Sequence, residues 1–251
     1  MSPLFAVAFR EYRIRLTNPI LPLWDVLVPV VYLLIFGASV ESWLGAGGEA
    51  PNYPTFFLGA VLAMVTFSVA MNSSYAFFED LQSGIFHEIL TYPFPRRHLL
   101  VGKLVFNGLF SLVGAALCVV AAVAILGVEV APAAWPGLLL WSAAGTAGWF
   151  FLFSYLALRV RGFNAYHTTT SGLYLLLMFV SNLFYPVDRL PTAVAWLAHA
   201  NPITWQVDWL RHHTYGAGAA PPRLWLEAVA FLAFTATTFW LANRKLNAPV
   251  D

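Results

Sequence analysis

A chain of 251 residues could form one or two globular domains, but 60% hydrophobic and 10% charged residues leave too little polar surface to cover a water-soluble globule. The mean hydropathy of +0.71 comes from several long apolar runs, so a bilayer is the fitting solvent. The net charge of +1 is spread over small basic groups rather than a nucleic-acid-binding stripe, and a lone cysteine, Cys118 in an apolar run, leaves no disulfide framework or cysteine metal site within one chain.

Arg10, Arg13 and Arg15 precede the first apolar run, and no small-residue cleavage site follows a short core, so the leader is expected to be retained rather than cleaved as a signal peptide. Phe5, Phe9, Tyr12 and Leu16 recur at spacings that place them on one helical face, while Arg10 and Arg13 take another. Residues 1–20 are therefore predicted to form an amphipathic helix lying in the membrane interface.

Crossing the hydrocarbon takes about 20 apolar residues as a helix. That length places spans at Leu23 to Val40, Tyr53 to Phe78, Leu99 to Val128, Trp135 to Leu158, Thr168 to Tyr185 and Leu224 to Ala242. The prediction is an all-α integral membrane protein of about six transmembrane helices, one domain over residues 1–251. Basic residues assign the sides. Arg10, Arg13, Arg15, Arg96, Arg97, Lys103, Arg159, Arg161, Arg244 and Lys245 fall on one side; only Arg189, Arg211 and Arg223 fall on the other. By the positive-inside rule both termini are cytoplasmic.

Residues 79–98 stand out between spans two and three. A polar stretch from Glu79 through Asp80, Leu81, Gln82, Ser83 and Gly84 leads into a short amphipathic run with His87 and Glu88, then Tyr92-Pro93-Phe94-Pro95. A short element clamped between two spans moves with both, so a partner gripping it can push on the bundle. Residues 187–215, between spans five and six, hold apolar stretches too short to cross, punctuated by prolines that discourage a continuing helix. Trp196, Trp205 and Trp209 suit a membrane interface. Two short helices in or dipping into the outer leaflet are expected there.

Chemistry is sparse. Gly102-Lys103 is followed by Leu104, and no phosphate-binding Gly-Lys-Ser/Thr loop occurs, so any ATP must be handled by another chain. Asp25 and Glu227 are read as helix-capping or interfacial acids near the ends of their spans rather than as proton relays. The histidines His87, His98, His167, His199, His212 and His213 are dispersed, so no catalytic residue and no metal ligand is assigned. Ser142, Ala143, Ala144, Gly145, Ala147 and Gly148 would let span four approach a neighbour closely. The aromatic band from Trp149 to Tyr155 is read as packing or lipid contact.

Pro93 and Pro95 followed by Gly102 and Lys103, then Phe184-Tyr185-Pro186, Leu190-Pro191 and Asn201-Pro202, together with Trp24, Pro29 and Gly37, resemble the type-2 permeases of ATP-binding-cassette exporters over nearly the whole chain. One position departs from the family pattern: His87 stands where glutamate is frequent, with Glu88 beside it. The resemblance implies a coupling helix in residues 79–98 and an interface helix in residues 1–20. ATPase contacts would then come from Arg10, Arg13, Glu79, Asp80, Gln82, Gly84, His87, Glu88, Tyr92, Pro93 and Pro95. It also implies an outer gate in residues 187–215 and the chain just before it, with Tyr185, Pro186, Pro191, Trp196, Asn201, Pro202 and Trp205. Two copies of a separate ATPase would bind ATP and Mg2+, and a second copy of this permease or a related one would complete the transporter in a bacterial inner or plasma membrane. The cargo would be an amphipathic or hydrophobic compound: a drug, a lipid or a lipid-linked glycan. The competing expectations are a membrane-embedded lipid-modifying enzyme, using His199, Asp208, His212 and His213, and a membrane subunit that does not transport.

Overall fold

The computed structural model describes residues 3–17, 20–44, 53–86, 95–187, 191–216 and 218–248. Its regular elements are helical: α1 (Pro3–Thr17), α2 (Ile20–Leu44), α3 (Tyr53–Gln82), α4 (Arg97–Leu126), a 3-10 turn (Pro132–Ala134), α5 (Trp135–Ala157), α6 (Phe163–Phe179), α7 (Thr192–His199), α8 (Pro202–Thr214) and α9 (Pro222–Asn247). Five of these, α2, α3, α4, α5 with its leading turn, and α9, are long and apolar enough to cross a membrane. The expected fifth span is shifted: α6 has 17 residues and ends at Phe179, and Ser181 to Tyr185 bend away instead of continuing the helix.

The axis of the bundle is α3, whose 30 residues reach about 45 Å, longer than a hydrocarbon core of about 30 Å. Its apolar residues from Phe57 to Val65 are nearly all buried, packed by α2, α4, α5 and α8. The outer helices turn their greasy faces away from the protein: Leu109, Val113 and Leu117 on α4, and Trp225, Leu226 and Val229 on α9, are at least half exposed. Such faces suit lipid or another membrane helix.

Close approaches are built on small residues. A Cβ on Gly145 of α5 would overlap the Gln206 amide of α8, and one on Gly148 would lie 2.8 Å from Thr235 Oγ1 of α9. The small-residue stretch of span four therefore faces α8 and α9. Trp149, Phe150 and Phe153 are fully buried, so the aromatic band is interior packing of the chain. Trp209 differs from the interfacial expectation: it is buried and stacks on Trp141 with ring centroids 4.9 Å apart.

α1 and the last turn of α9 lie at one end of the bundle. Arg10 on α1 bonds to Asp80 at the end of α3, and Arg96 before α4 donates to the Leu246 carbonyl of α9 at 2.8 Å. We call this the charged end. The start of α3 marks the opposite end, where the Phe56 carbonyl meets Arg211 of α8.

Candidate functional site

The aromatic stripe of α1 points outward, with Phe5, Phe9 and Tyr12 about half exposed, while Arg10, Glu11 and Arg15 turn toward the protein and Arg13 stays exposed. Arg10 grips Asp80 with both terminal nitrogens, Nη1 donating to Oδ2 at 2.9 Å and Nη2 to Oδ1. Lys103 of α4, fully buried, donates to Asp80 Oδ2 at 2.8 Å and to Glu11 Oε1 at 2.6 Å. Two cations and two anions thus join α1, α3 and α4 in one neutral cluster. The bond to Asp80 raises the Arg10 pKa against the opposing effect of burial, so its charge is secure. Charges taken from water this way are tolerated because each finds a hydrogen-bonded counter-charge.

A second ionic link lies one turn further along α1. Arg15 donates to Ser73 Oγ at 3.1 Å, sits over the Phe110 ring and approaches Asp25 Oδ2 at 3.5 Å. Burial lowers the Arg15 pKa, with Asp25 opposing the shift. Asp25 is therefore not a helix cap: it is buried and accepts from Ser68 and Asn72 of α3 because those side chains reach it across the helix interface.

The residues expected to touch an ATPase divide accordingly. Arg13, Glu79 and Gln82 are exposed at the charged end, and Gly84, at φ 80, makes the turn that follows α3. Arg10 and Asp80 face each other instead. Pro95 is exposed and accepts from the His98 N–H at 2.9 Å. His87, Glu88, Tyr92 and Pro93 lie outside the described residues.

At the opposite end, Asn201 ties two helices. Its Oδ1 accepts from the Ile203 N–H at 3.0 Å and caps α8, while its Nδ2 donates to the Leu177 and Val180 carbonyls at the end of α6. Pro202, at the first helical position of α8, has no N–H to leave unpaired. Trp205 Nε1 donates to the His199 carbonyl at 2.6 Å, and Tyr185 donates to the Phe179 carbonyl. Pro186 and Pro191 are exposed, and Trp196 is 73% exposed.

Arg211 holds this end together. Its Nη2 donates to the Asn182 and Leu183 carbonyls at 2.8 and 3.0 Å, its Nε to the Phe56 carbonyl at 3.0 Å, and its guanidinium lies over the Phe56 ring. Asp208 accepts from Asn182, and Arg223 reaches Glu227 at 2.9 Å and His199 Nδ1 at 3.0 Å. Glu227 is thus a partner of Arg223 four residues earlier rather than a cap. His212 and His213 pack around the Trp209 ring. Among the described residues no three His, Cys, Asp or Glu side chains gather as metal ligands.

Sequence reasoning did not single out Glu11, Gln206 or Arg211. A lysine seven residues into an apolar helix signals a buried counter-charge, but nothing local says which acids supply it.

In the structure α1 is joined by ion pairs to α3 and α4, and the short helices α7 and α8 lie toward the opposite end. The sequence model of the family described as ABC-2 type transporter matches residues 3–215. This chain belongs to that family. The match runs from α1 through α8 and so includes both the ionic cluster of the charged end and the Arg211 centre of the opposite one. As an ABC-2 type membrane domain, the chain is a permease component of an ABC transporter. The comparison with curated proteins returns no match.

Proposed function

We propose that this permease exports an amphipathic or hydrophobic compound, a drug, lipid or lipid-linked glycan, using ATP bound with Mg2+ by a separate ATPase. The family match carries this reading, and the absence of a phosphate-binding loop from the sequence supports placing ATP elsewhere. The charged end would face the cytoplasm of a bacterial inner membrane, as the distribution of Lys and Arg favours. One ATPase would dock on each permease at the exposed Arg13, Glu79 and Gln82, at Gly84, and at the segment through His87, Glu88, Tyr92, Pro93 and Pro95. The cluster of Arg10, Asp80, Glu11 and Lys103 would then carry the push into α4.

A second copy of this permease, or a related one, would cover the outward apolar faces of α2 and α4. A groove of about 400 Å³ between them, lined by Leu23, Val26, Leu27, Val30, Phe110 and Val113, supports that placement. Tyr185, Trp196, Asn201 and Trp205, with the neighbouring prolines, would form the outer gate.

The test is reconstitution with the ATPase facing the outside of proteoliposomes. Export predicts ATP-dependent accumulation of an amphipathic dye in the lumen. ATP-dependent depletion of the lumen would reverse the assigned direction, and full activity without an ATPase would overturn the reading.

A further inference from the structure

Two helices reach the charged end side by side, and each brings an arginine bent back over an aromatic ring. α5 and α9 run in the same direction, because Trp141 meets Phe231, Trp149 meets Phe234 and Phe151 meets Phe239, the last pair with ring centroids 4.8 Å apart. Beyond that pair the Arg159 guanidinium lies 5.5 Å from the Tyr155 ring centroid, and the Arg244 guanidinium 5.3 Å from that of Trp240. Tyr155 comes four residues after Phe151, shares its face and so borders α9. Trp240 follows Phe239 and turns outward, 54% exposed.

Charge along this seam is of one sign. Arg159, Arg161, Arg244 and Lys245 are exposed, and among the described residues no carboxylate lies within ion-pair distance of them. Glu11 and Asp80, the buried acids of this end, are engaged by Arg10 and Lys103. Both guanidiniums lean toward the membrane, since a ring four residues earlier lies deeper in chains that run toward the charged end. An arginine reaching for a water-soluble partner would extend the other way. Deeper still, the outward face of α9 carries Leu232, Val229 and Leu226, each more than half exposed. From Leu226 to Trp240 is about 20 Å of helix, comparable to an extended acyl chain.

We propose that the seam of α5 and α9 at the charged end binds an anionic phospholipid, its phosphodiester between Arg159 and Arg244 and an acyl chain along Trp240 and Leu232. Guanidiniums offer phosphate oxygens parallel N–H bonds, and basic groups at the membrane surface attract anionic head groups. Phosphatidylcholine would bring a further cation to four that are already unpaired. α9 packs on α5 and α8, away from the groove between α2 and α4 assigned to a second permease, so the competing occupant is the ATPase. The inference rests on membrane insertion and on neither the cargo nor the direction of transport.

The probe is phosphatidylglycerol with dibrominated acyl chains, which quenches tryptophan on contact, compared with dibrominated phosphatidylcholine in bilayers holding the full-length permease. The difference between the unaltered and Trp240→Phe proteins isolates the signal of Trp240. Phosphatidylglycerol is expected to associate there at least about threefold more strongly than phosphatidylcholine, and the preference to vanish in Arg159→Gln/Arg244→Gln while Arg13→Gln retains it. Equal association of the two lipids with the unaltered protein, or a preference that survives the double substitution, overturns the proposal. If the double variant does not fold, the comparison of the two lipids on the unaltered protein still decides. A preference abolished when the ATPase is bound would assign the surface to that subunit and equally overturn the lipid reading.

Discussion

Lys103 and Asp80 meet at 2.8 Å across the α3–α4 interface, and Lys103 is fully buried. Removing one member of a buried pair leaves the other without compensation, which costs about 3–5 kcal/mol. Lys103→Met is therefore expected to destabilise the permease by about 3 kcal/mol, because Arg10 still shields Asp80. Asp80→Asn should cost a similar amount, and the double variant less than the sum by about 1–2 kcal/mol. Equilibrium unfolding in bicelles gives all three values, and strict additivity would show that the two residues are not coupled.

Glu79 is exposed one residue before the buried Asp80, so the two acids separate docking from folding. Glu79→Lys should keep the thermal midpoint within the small range usual for surface changes, about 0.5 kcal/mol, while ATP hydrolysis continues without dye movement. Asp80→Lys should instead lose folded protein. Coupled transport by the Glu79→Lys protein at the original rate would remove this residue from the docking surface.

Gly145 has no room for a side chain because the Gln206 amide occupies the space. Gln206 is in turn fixed, accepting from Trp149 Nε1 at 2.9 Å and donating to Thr66 Oγ1 at 2.9 Å. Gly145→Ala is expected to cost about 1–3 kcal/mol by overpacking. Adding Gln206→Ala should recover part of the loss, which a thermal-shift comparison of single and double variants reads directly.

Asn201→Ala removes the cap of α8 and the donor to two carbonyls of α6. A lost cap costs about 1 kcal/mol, and the uncovered carbonyls add to it, for about 2 kcal/mol in total. Amide exchange should accelerate together in residues 177–183 and 201–206. Acceleration confined to α8 would mean that the link to α6 contributes nothing.

Long apolar runs were readable because nothing interrupts them. The span expected at Leu23 to Val40 lies within α2, and that at Trp135 to Leu158 coincides with α5 to a residue. The fifth was misplaced because its end is set from afar. Residues Ser181 to Tyr185 are apolar enough to continue a helix, but the Asn182 and Leu183 carbonyls are taken by Arg211, and those of Leu177 and Val180 by Asn201. These partners are about 20 to 30 residues downstream, where no periodicity announces them. Asp25 likewise takes its partners, Ser68 and Asn72, from a different helix, whereas the partner of Glu227 is Arg223 one turn earlier on its own helix. Basic residues at span ends were legible as a group. That Arg10 would turn inward to Asp80, leaving Arg13 and Glu79 outside, depends on the rotation of α1 about its axis.

The ionic cluster also has a direction in time. Ribosomes make Glu11 and Asp80 before Lys103, so both anions are already in the nascent chain when the lysine-bearing helix leaves the exit tunnel. The buried ammonium of Lys103 thus finds both of its counter-charges among residues synthesised before it.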